Sequence, residues 1–379
     1  MANPTTITFG SSSAPSAVTT NLDSLFGLSL AAYRKELIDN IGATNAFFHE
    51  VIQGELYEGQ DGGTYIQVPV MYGLAPADSY DGYDELSTVP TDGITDCIYQ
   101  WRQCAAPIAY SMKEVKQNKQ KIVDLIKSRI KQAEMGLQEF FAQSLMWGSA
   151  NQSGGSLKTP YVSPVNGSSS IEPISELIDY TASTNNVAIG NINQNTNTWW
   201  QNKTKTSAAT TYDSFLLEID QIFNQSSLGT GGKVKLVLMD ETTYELTVHA
   251  LYQKYRYIKP HEDEAYPFEN VVYKGAHFVM DDKVPDVANG IAPSLLGGSG
   301  NPSSLINGTG FFLNPQFFKM IYEEDSDFKM LEDDSGKTFF KPVNGDSRVG
   351  HVAWMGNLTV TNRRKQGVIG KVARTLTTP

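Results

Sequence analysis

Few of the residues that could perform chemistry stand at the spacing that the chemistry needs. The run from His261 to Glu264 resembles a zinc-protease motif, but such a motif has its second histidine four residues after the first, where Ala265 stands. The chain has five histidines and no Gly-x-Ser-x-Gly turn, so no nucleophile with a nearby base can be assigned. The sequence therefore predicts no catalytic residue, no cofactor site and no metal site.

Two further segments have the composition of a ligand site without its spacing. The glycine-rich run Gly229–Lys233 lacks the first Gly and the final Ser or Thr of a phosphate-binding loop, since Ser227 and Val234 occupy those positions. Between Glu323 and Asp334, seven carboxylates lie within twelve residues, and hard cations favour such oxygens. The EF-hand spacing and its glycine are missing, so we predict a solvated turn there.

The composition narrows the class of protein. The chain has 379 residues, a net charge of −11 and 40% hydrophobic residues, which suffices for a substantial core. It has no run of about 18 apolar residues, and its N-terminus lacks the basic and apolar regions of a signal peptide. Two cysteines in so long a chain fit a reducing compartment. These features predict a soluble intracellular protein with no membrane partner.

Hydrophobic periodicity predicts one long amphipathic helix, from Lys119 to Trp147. Apolar residues recur there at helical spacing over about seven turns, and lysines and an arginine occupy the other side. The remaining patterns predict helices at about 21–41, 212–226 and 240–255, and strands at 64–71, 98–104, 234–238, 271–273, 277–280, 311–313 and 349–362.

The strands at 64–71 and 98–104 flank a turn-rich segment and predict an extended β-arm. An isolated hairpin is marginally stable in water, so we expect this arm to bury little in its own subunit and to lie on a neighbour. Val51–Cys104 contains nine acidic residues and one basic residue, whereas Lys337–Pro379 contains eight basic residues and one acidic residue. Such complementarity favours a contact between subunits, although two solvated surfaces are the alternative. The residues predicted for this contact are Asp81, Asp84, Glu85, Trp101, Arg363, Arg364 and Lys365.

Several short motifs occur in an order that matches one family of proteins. They are Tyr99–Ile108, Leu145–Gly148, Trp199–Asn202, Lys235–Met239, Val279–Asp282, Phe311–Asn314 and Trp354–Val360. In this order, from about residue 45 to the end of the chain, the sequence resembles the major capsid proteins of tailed bacteriophages, which have the HK97-type fold.

The resemblance implies a fold class and a division of the chain. The expected fold is an α+β HK97-type capsid fold, in which a P-domain carries a long spine helix on an antiparallel sheet. The expected parts are an N-terminal arm (1–50), an extended β-hairpin called the E-loop (51–107), the P-domain (108–150 and 311–379) and an A-domain (151–310).

The resemblance also implies a function without catalytic turnover. Subunits of the family self-assemble into the hexamers and pentamers of an icosahedral phage head, which encloses double-stranded DNA and contacts it non-specifically. The expected location is therefore the virion capsid, assembled in the cytoplasm of the host bacterium. A portal protein and a decoration protein are further expected partners.

Two features differ from some members of the family. The predicted E-loop contains no lysine, so an isopeptide cross-link that starts from this loop is not expected. Only a short Ser/Thr-rich arm precedes the first predicted helix, where some relatives carry a long helical scaffolding segment. We therefore expect a separate scaffolding protein.

Two other functions fit the sequence less well. An encapsulin-like compartment would have the same fold but would enclose protein, and the charge of its inner surface would distinguish it from a head filled with DNA. A metal-assisted hydrolase would have to use His261, Glu262 and the carboxylates between Glu323 and Asp334.

Overall fold

The computed structural model describes residues 45–74, 77, 79–82, 92–117, 122–147, 171–180, 182–183, 186, 188–229, 231–254, 270–284, 308–332, 338–342, 345–374 and 376–377. The predicted helix at 21–41 and most of the predicted N-terminal arm lie outside these residues.

Short strands outnumber helices along the described part of the chain. The helices are α1 (Ala46–Gln53), α2 (Met112–Gln117), α3 (Ile122–Trp147), α4 (Ile174–Leu177), α5 (Tyr212–Ser227) and α6 (Glu241–Lys254). The strands are β1 (Tyr57–Gln60), β2 (Ile66–Met71), β3 (Ile94–Tyr99), β4 (Arg102–Ser111), β5 (Ala188–Ile189), β6 (Ile192–Asn193), β7 (Lys203–Thr206), β8 (Leu236–Met239), β9 (Asn270–Tyr273), β10 (Ala276–Met280), β11 (Thr309–Leu313), β12 (Phe318–Glu323), β13 (Lys329–Met330), β14 (Ser347–Val360) and β15 (Gly367–Gly370).

A five-stranded sheet, which we call the spine sheet, is built around the 14-residue strand β14. Along one edge β14 pairs antiparallel with β4, and along the other it pairs with β12 and β13, while β1 pairs parallel with β12. The helix α3 packs on β4. Its Phe141 ring meets the indole of Trp354 edge-on, with ring centroids 5.1 Å apart. We call α3 the spine helix, because its buried face covers this sheet.

A second, six-stranded sheet has the order β7-β15-β11-β8-β10-β9. Val237 and Met239 of its strand β8 pack in one apolar cluster with the helices α5 and α6. Leu236 and Leu238, on the opposite face of the same strand, belong to the larger cluster that also holds the spine sheet. Because alternate residues of β8 enter two different clusters, the strand is buried on both faces and has no polar side.

Most predicted elements are confirmed, with one informative exception. The long helix is α3, the alternating run near the C-terminus is β14, and the predicted helix at 212–226 is α5. The predicted single strand at 98–104 is wrong, since β3 ends at Tyr99 and β4 begins at Arg102. At this point the chain leaves its partner β2 and joins β14. A local pattern contains no information about such a change of partner.

Sheet membership divides the chain differently from the predicted domain boundaries. The strands at 57–60 and 102–111 lie in the spine sheet, although the predicted E-loop spans 51–107. The strands at 309–313 and 367–370 lie in the six-stranded sheet, although the P-domain was predicted from 311 to the C-terminus. These strands pair with partners distant in sequence, so the boundaries depend on tertiary contacts.

Glycine is required at one position of β14. A Cβ added to Gly356 would lie 2.5 Å from the backbone oxygen of Ile321 and 2.6 Å from the ring of Trp354. We predict that Gly356→Ala lowers the free energy of unfolding by about 1–3 kcal/mol, the usual cost of overpacking a core. Urea unfolding of the unassembled subunit measures this change.

The matched control is Gly136→Ala in the spine helix, where the added methyl group meets open space. There the same substitution should raise the free energy of unfolding by about 0.5–1 kcal/mol, because alanine favours a helix over glycine. Equal effects of the two substitutions would contradict the packing argument.

Candidate assembly surface

The arm, which we define as β2, β3 and the residues between them, has one face buried in its own subunit. The strands pair antiparallel from Ile66–Tyr99 at the root to Met71–Ile94 further out. Side chains alternate along β2, so that Ile66 and Val68 are buried while the residues between them are exposed. The prediction that the arm buries little in its own subunit is therefore wrong for its inner face.

The small hairpin of β5 and β6 and the short 3₁₀ turn Thr198–Trp200 form the surface beneath the arm. The backbone N–H of Ile98 donates to the carbonyl oxygen of Gly190 at 3.1 Å. A Cβ on Gly190 would lie 3.0 Å from the side chain of Cys97, and its φ of 59° also favours glycine. The rings of Tyr72 and Trp199 stack with centroids 5.0 Å apart. These contacts with segments distant in sequence thus hold the arm against its own subunit.

The outer face of the arm carries exposed apolar side chains at its far end, beyond the exposed Gln67 and Asp96. Met71 and Ile94 are cross-strand neighbours, and they are 68% and 61% exposed. Leu74, further along the arm, is 84% exposed, and the nearby Tyr80 is 65% exposed. A cluster of exposed apolar side chains on an extended ribbon is typical of a surface that another molecule covers.

At the arm root, the guanidinium of Arg363 is fully buried. Its Nε donates to the carbonyl oxygen of Leu177 at 2.7 Å, and Nη1 donates to that of Trp200 at 3.0 Å. Its Nη2 donates to Gln194 Oε1 at 2.8 Å and to Asn202 Oδ1 at 3.1 Å. One side chain therefore joins the end of α4, the 3₁₀ turn beneath the arm and the segment that enters β7.

The carboxylate of Asp179 completes this buried network. Gln194 Nε2 donates to Asp179 Oδ2 at 2.6 Å, and Asn202 Nδ2 donates to the Asp179 carbonyl at 2.8 Å. Burial lowers the pKa of Arg363 to about 10, and the charge of Asp179 acts in the opposite direction. Arg363 therefore keeps its charge at neutral pH, and the same two amide side chains bridge it to Asp179.

Side-chain hydrogen bonds tie the arm root to β14. The hydroxyl of Tyr99 donates to the carbonyl oxygen of Val360 at 3.0 Å, and Asn357 Nδ2 donates to that of Gln100 at 2.9 Å. Tyr99 and Asn357 are both fully buried. Both Tyr99 and Gln100, where the chain passes from the arm into the spine sheet, are therefore hydrogen-bonded to β14.

Glu172 lies beside the same turn, and its backbone N–H donates to Asn357 Oδ1 at 3.0 Å. Removal of its carboxyl group from water raises the pKa of Glu172 to about 8. The like charge of Glu176 raises this pKa further, and the buried Arg102 lowers it. Glu172 thus holds a proton near neutral pH, at the junction of α4, the arm root and β14.

Three of the residues predicted for the inter-subunit contact lie at the surface. Asp81 is exposed and accepts the backbone N–H of Gly82 at 2.8 Å, and Arg364 is exposed near the C-terminus. Trp101 is half-buried, and its Nε1 donates to the carbonyl oxygen of Gly63 at 2.8 Å. Asp84 and Glu85 lie outside the described residues.

Arg363 and Lys365 occupy different surroundings from those the sequence predicted. Arg363 has no exposed surface, so it cannot meet a neighbouring subunit as the charge count suggested. Lys365 is 5% exposed, and its Nζ donates to the carbonyl oxygens of Leu228 at 2.7 Å and Gly229 at 3.1 Å. A count of basic residues does not distinguish a cation that stabilises the fold from one that faces solvent.

The exposed apolar side chains of the arm were not among the predicted site residues. One signal for them exists in the sequence: in the alternating strand that begins at Ile66, Met71 falls on the polar face. An apolar residue in the exposed phase of a strand indicates a covered surface when its cross-strand partner, here Ile94, is apolar as well.

The predicted acidic turn is partly described, and it includes one structural carboxylate. Asp327 is buried and accepts a hydrogen bond from the Tyr57 hydroxyl at 2.6 Å, and the same hydroxyl accepts one from Trp354 Nε1 at 3.0 Å. Within the described ranges, no group of three or more His, Cys, Asp or Glu side chains could hold a metal ion. His261 and Glu262 lie outside these ranges.

No described helix is long and apolar enough to cross a membrane.

Comparison with known proteins places this architecture among capsid subunits. No protein-family profile and no curated protein matches the sequence. The capsid subunit of cyanophage A-1(L) has a similar structure at 11% identity, with 88% of this chain and 92% of that chain covered and a TM-score of 0.58. The capsid of an empty GTA particle (10% identity, 84% and 89% covered, TM-score 0.49) and a structure from Gordonia phage Cozz (14% identity, 85% and 86% covered, TM-score 0.46) also match.

The likeness to the cyanophage subunit extends over nearly the whole of both chains. It confirms the predicted α+β HK97-type capsid fold, with the spine helix packed on the antiparallel part of the spine sheet.

The Arg363 network generates a prediction about stability. Arg363→Met leaves buried acceptors without donors, so we expect the free energy of unfolding of the unassembled subunit to fall by about 3–5 kcal/mol. Arg363→Lys should recover only part of this loss, because an ammonium group cannot reproduce the planar guanidinium geometry. Chemical denaturation of both variants measures the change.

The neighbouring exposed residue is the matched control. Arg364→Met should change the free energy of unfolding by no more than about 0.5 kcal/mol. A small effect at Arg363 would show that the buried network contributes little to the fold.

Glu172 generates a prediction about pH. Its pKa is raised from 4.5 to about 8 in the folded state, so the folded subunit binds one more proton than the unfolded chain between these values. The stabilisation of the folded subunit by this proton on Glu172 is complete below about pH 4.5. It is lost as the pH rises through 8. In Glu172→Gln, the fall in the free energy of unfolding across this window should become shallower by up to about 1.4 kcal/mol per pH unit.

Unfolding curves at several pH values between 5 and 9 test this prediction, with the exposed Glu332→Gln as the control. If Glu172→Gln and Glu332→Gln leave the same pH dependence as the parent protein, Glu172 is not the titrating group.

Proposed function

We propose that this protein is the major capsid protein of a tailed bacteriophage. Its subunits self-assemble into hexamers and pentamers and close an icosahedral shell around double-stranded DNA, with which they make non-specific contacts. The likeness to the cyanophage capsid subunit over 88% of the chain carries this proposal. The exposed apolar outer face of the arm supports it, because a monomeric protein rarely exposes such a ribbon.

In this proposal the protein is structural and performs no catalytic turnover. Its location is the virion capsid, after assembly in the cytoplasm of the host bacterium. The proposed partners are other copies of the chain, a separate scaffolding protein, a portal protein and, in the finished head, a decoration protein.

The proposed parts of the subunit follow the sheets. The spine helix and the spine sheet form the P-domain, the six-stranded sheet with α5 and α6 forms the A-domain, and the arm forms the E-loop. The proposed N-terminal arm is residues 1–50, which includes the first residues of α1. The outer face of the E-loop is proposed as the surface that meets a neighbouring subunit, where Asp81, Asp84 and Glu85 bring negative charge.

Electron microscopy of the purified chain, with and without a candidate scaffolding protein, is the direct test. We expect rings of five and six subunits or closed shells, with no enzymatic activity required for their formation. A chain that stays monomeric with the scaffolding protein present, over a range of salt and protein concentrations, would contradict the proposal.

The exposed apolar residues of the arm allow a sharper prediction. Leu74→Ser combined with Ile94→Ser should leave the unfolding of the free subunit unchanged, because both side chains are exposed there. The double variant should raise the concentration at which rings or shells form by at least about tenfold, since fully burying a Leu or Ile side chain contributes about 1.5–3 kcal/mol. Sedimentation velocity measures the assembled fraction.

Leu331→Ser is the control, because Leu331 is also exposed but lies outside the arm. Assembly of the arm variant at the parental concentration would show that the outer face of the arm is not a subunit contact.

A further inference from the structure

We propose that a groove beside the arm, between Tyr72 and Arg364, binds the acidic segment of residues 78–86 from a second copy of this chain. This inference rests on the proposed function and names the receiving surface for the arm, which the fold likeness does not specify.

The groove consists of two adjoining cavities of about 330 and 270 Å³. Both are lined by Met71 and Tyr72, at the outer end of β2, and by Asn362 and Arg364 after β14. The larger cavity continues toward α5 and β7, and the smaller one continues toward the 3₁₀ turn beneath the arm. Together they form a surface of suitable size for several residues of an extended peptide.

The groove is positively charged. Lys203, Arg364 and Lys365 line it, and no carboxylate is present among its described lining residues. Two carbonyl oxygens hold the ammonium group of Lys365 in the wall. Burial lowers the pKa of Lys365, and the positive charge of Arg364 lowers it further. An anionic ligand would offset this concentration of like charges.

The groove also has aromatic and apolar walls. The stacked rings of Tyr72 and Trp199 line it, and Leu74 and Leu228 stand at its larger cavity with 84% and 72% of their surfaces exposed. A nucleic-acid backbone would leave these apolar surfaces in contact with phosphates and water. A peptide with both acidic and hydrophobic side chains matches the charge and the apolar walls together.

The arm carries such a peptide. Residues 79–86 read Ser-Tyr-Asp-Gly-Tyr-Asp-Glu-Leu, and the segment 75–91 has four acidic residues and no lysine or arginine. Acidic and aromatic side chains therefore alternate within eight residues. This charge and composition complement the groove of another copy.

The length of the arm permits contact with a neighbour. Leu74 lines the groove, and Asp92 stands just before Gly93, which packs against Gly73, so 17 residues lie between Leu74 and Asp92. Half of that excursion can extend about 28 Å at 3.3–3.6 Å per residue, which exceeds the expected radius of gyration of about 21 Å for a compact chain of this length. The donor segment and the receiving groove are different surfaces, so repeated contacts of this kind form a ring when the rotation between neighbouring subunits closes.

Charge reversal tests the proposal with the full-length chain. The groove variant is Lys203→Glu with Arg364→Glu, and the segment variant is Asp81→Lys with Asp84→Lys and Glu85→Lys. We expect each variant alone to lose assembly by at least about tenfold, as measured by sedimentation velocity and electron microscopy. The two variants mixed should form six-membered rings again, because every contact joins opposite charges when the variants alternate, which a ring of five does not allow. A single chain with all five substitutions should assemble as well.

The matched control is Lys113→Glu with Lys341→Glu, which changes the net charge by the same amount as the groove variant at two exposed lysines outside the groove. This control should assemble like the parent protein. Thermal unfolding of every variant identifies a loss of assembly that is caused by misfolding.

Peptide binding is a second measurement that does not depend on assembly. A fluorescent peptide of residues 77–88 should bind the segment variant, whose groove is unchanged, and should bind the groove variant at least about tenfold more weakly. A duplex oligonucleotide that displaces the peptide from the groove at the same ionic strength would assign the groove to nucleic acid and overturn the proposal.

The remaining outcomes separate this proposal from the proposed function. Normal shells from the groove variant would overturn the inference and leave the capsid function standing. Recovery in the five-substitution chain but not in the mixture would show that the segment folds onto its own groove, which also overturns a contact between subunits. Failure of the parent chain to assemble under all conditions would contradict the capsid function itself.

Discussion

The antiparallel pairing of β14 with β4 is the constraint on which the rest of the subunit depends. Ten residues of each strand are in register, from Ser347 and Ser111 to Gly356 and Arg102. This pairing brings the C-terminal third of the chain beside the point where the arm ends. It also creates the surface on which the spine helix packs, with Trp354 against Phe141. The positions of the arm, the helix and the second sheet all follow from this one long strand.

The arm combines a rigid root with an uncovered outer face. Its inner side chains are buried, Tyr99 is hydrogen-bonded to Val360, and the neighbouring Arg363 ties together the segments beneath it. An extended ribbon can present a surface to another molecule at a defined position only when its root is fixed, because an unsupported hairpin is marginally stable. The buried network is therefore the structural condition for the exposed apolar face of Met71 and Ile94 to act in assembly.

The charged residues near the C-terminus fall into two classes with different roles. Arg363 and Lys365 are buried, and their hydrogen bonds go to groups of the same subunit. Arg364, between them, is exposed and lines the groove beside the arm. Three consecutive basic residues thus include two that stabilise the fold and one that is available to a partner, because the short 3₁₀ turn at Arg363–Lys365 directs its side chains to different surroundings. The same distinction separates Arg102, which is buried beside Glu172, from Asp81 and Asp96 of the arm, which are exposed.

The sequence by itself determined the local elements and the fold class. The spine helix and the strand β14 show strong periodicity over many residues, and the order of short motifs indicated an HK97-type fold. Tertiary structure alone decided the strand partners, which placed β1 and β4 in the spine sheet and β11 and β15 in the other sheet. It also decided that Arg363 is internal and that Leu74 and Ile94 are exposed, whereas the exposure of Met71 has a signal in the alternation of β2. The physical reason is that periodicity reports contacts within a few residues, whereas burial and pairing depend on segments far apart in the sequence, such as β1 and β12, whose paired residues are 263 positions apart.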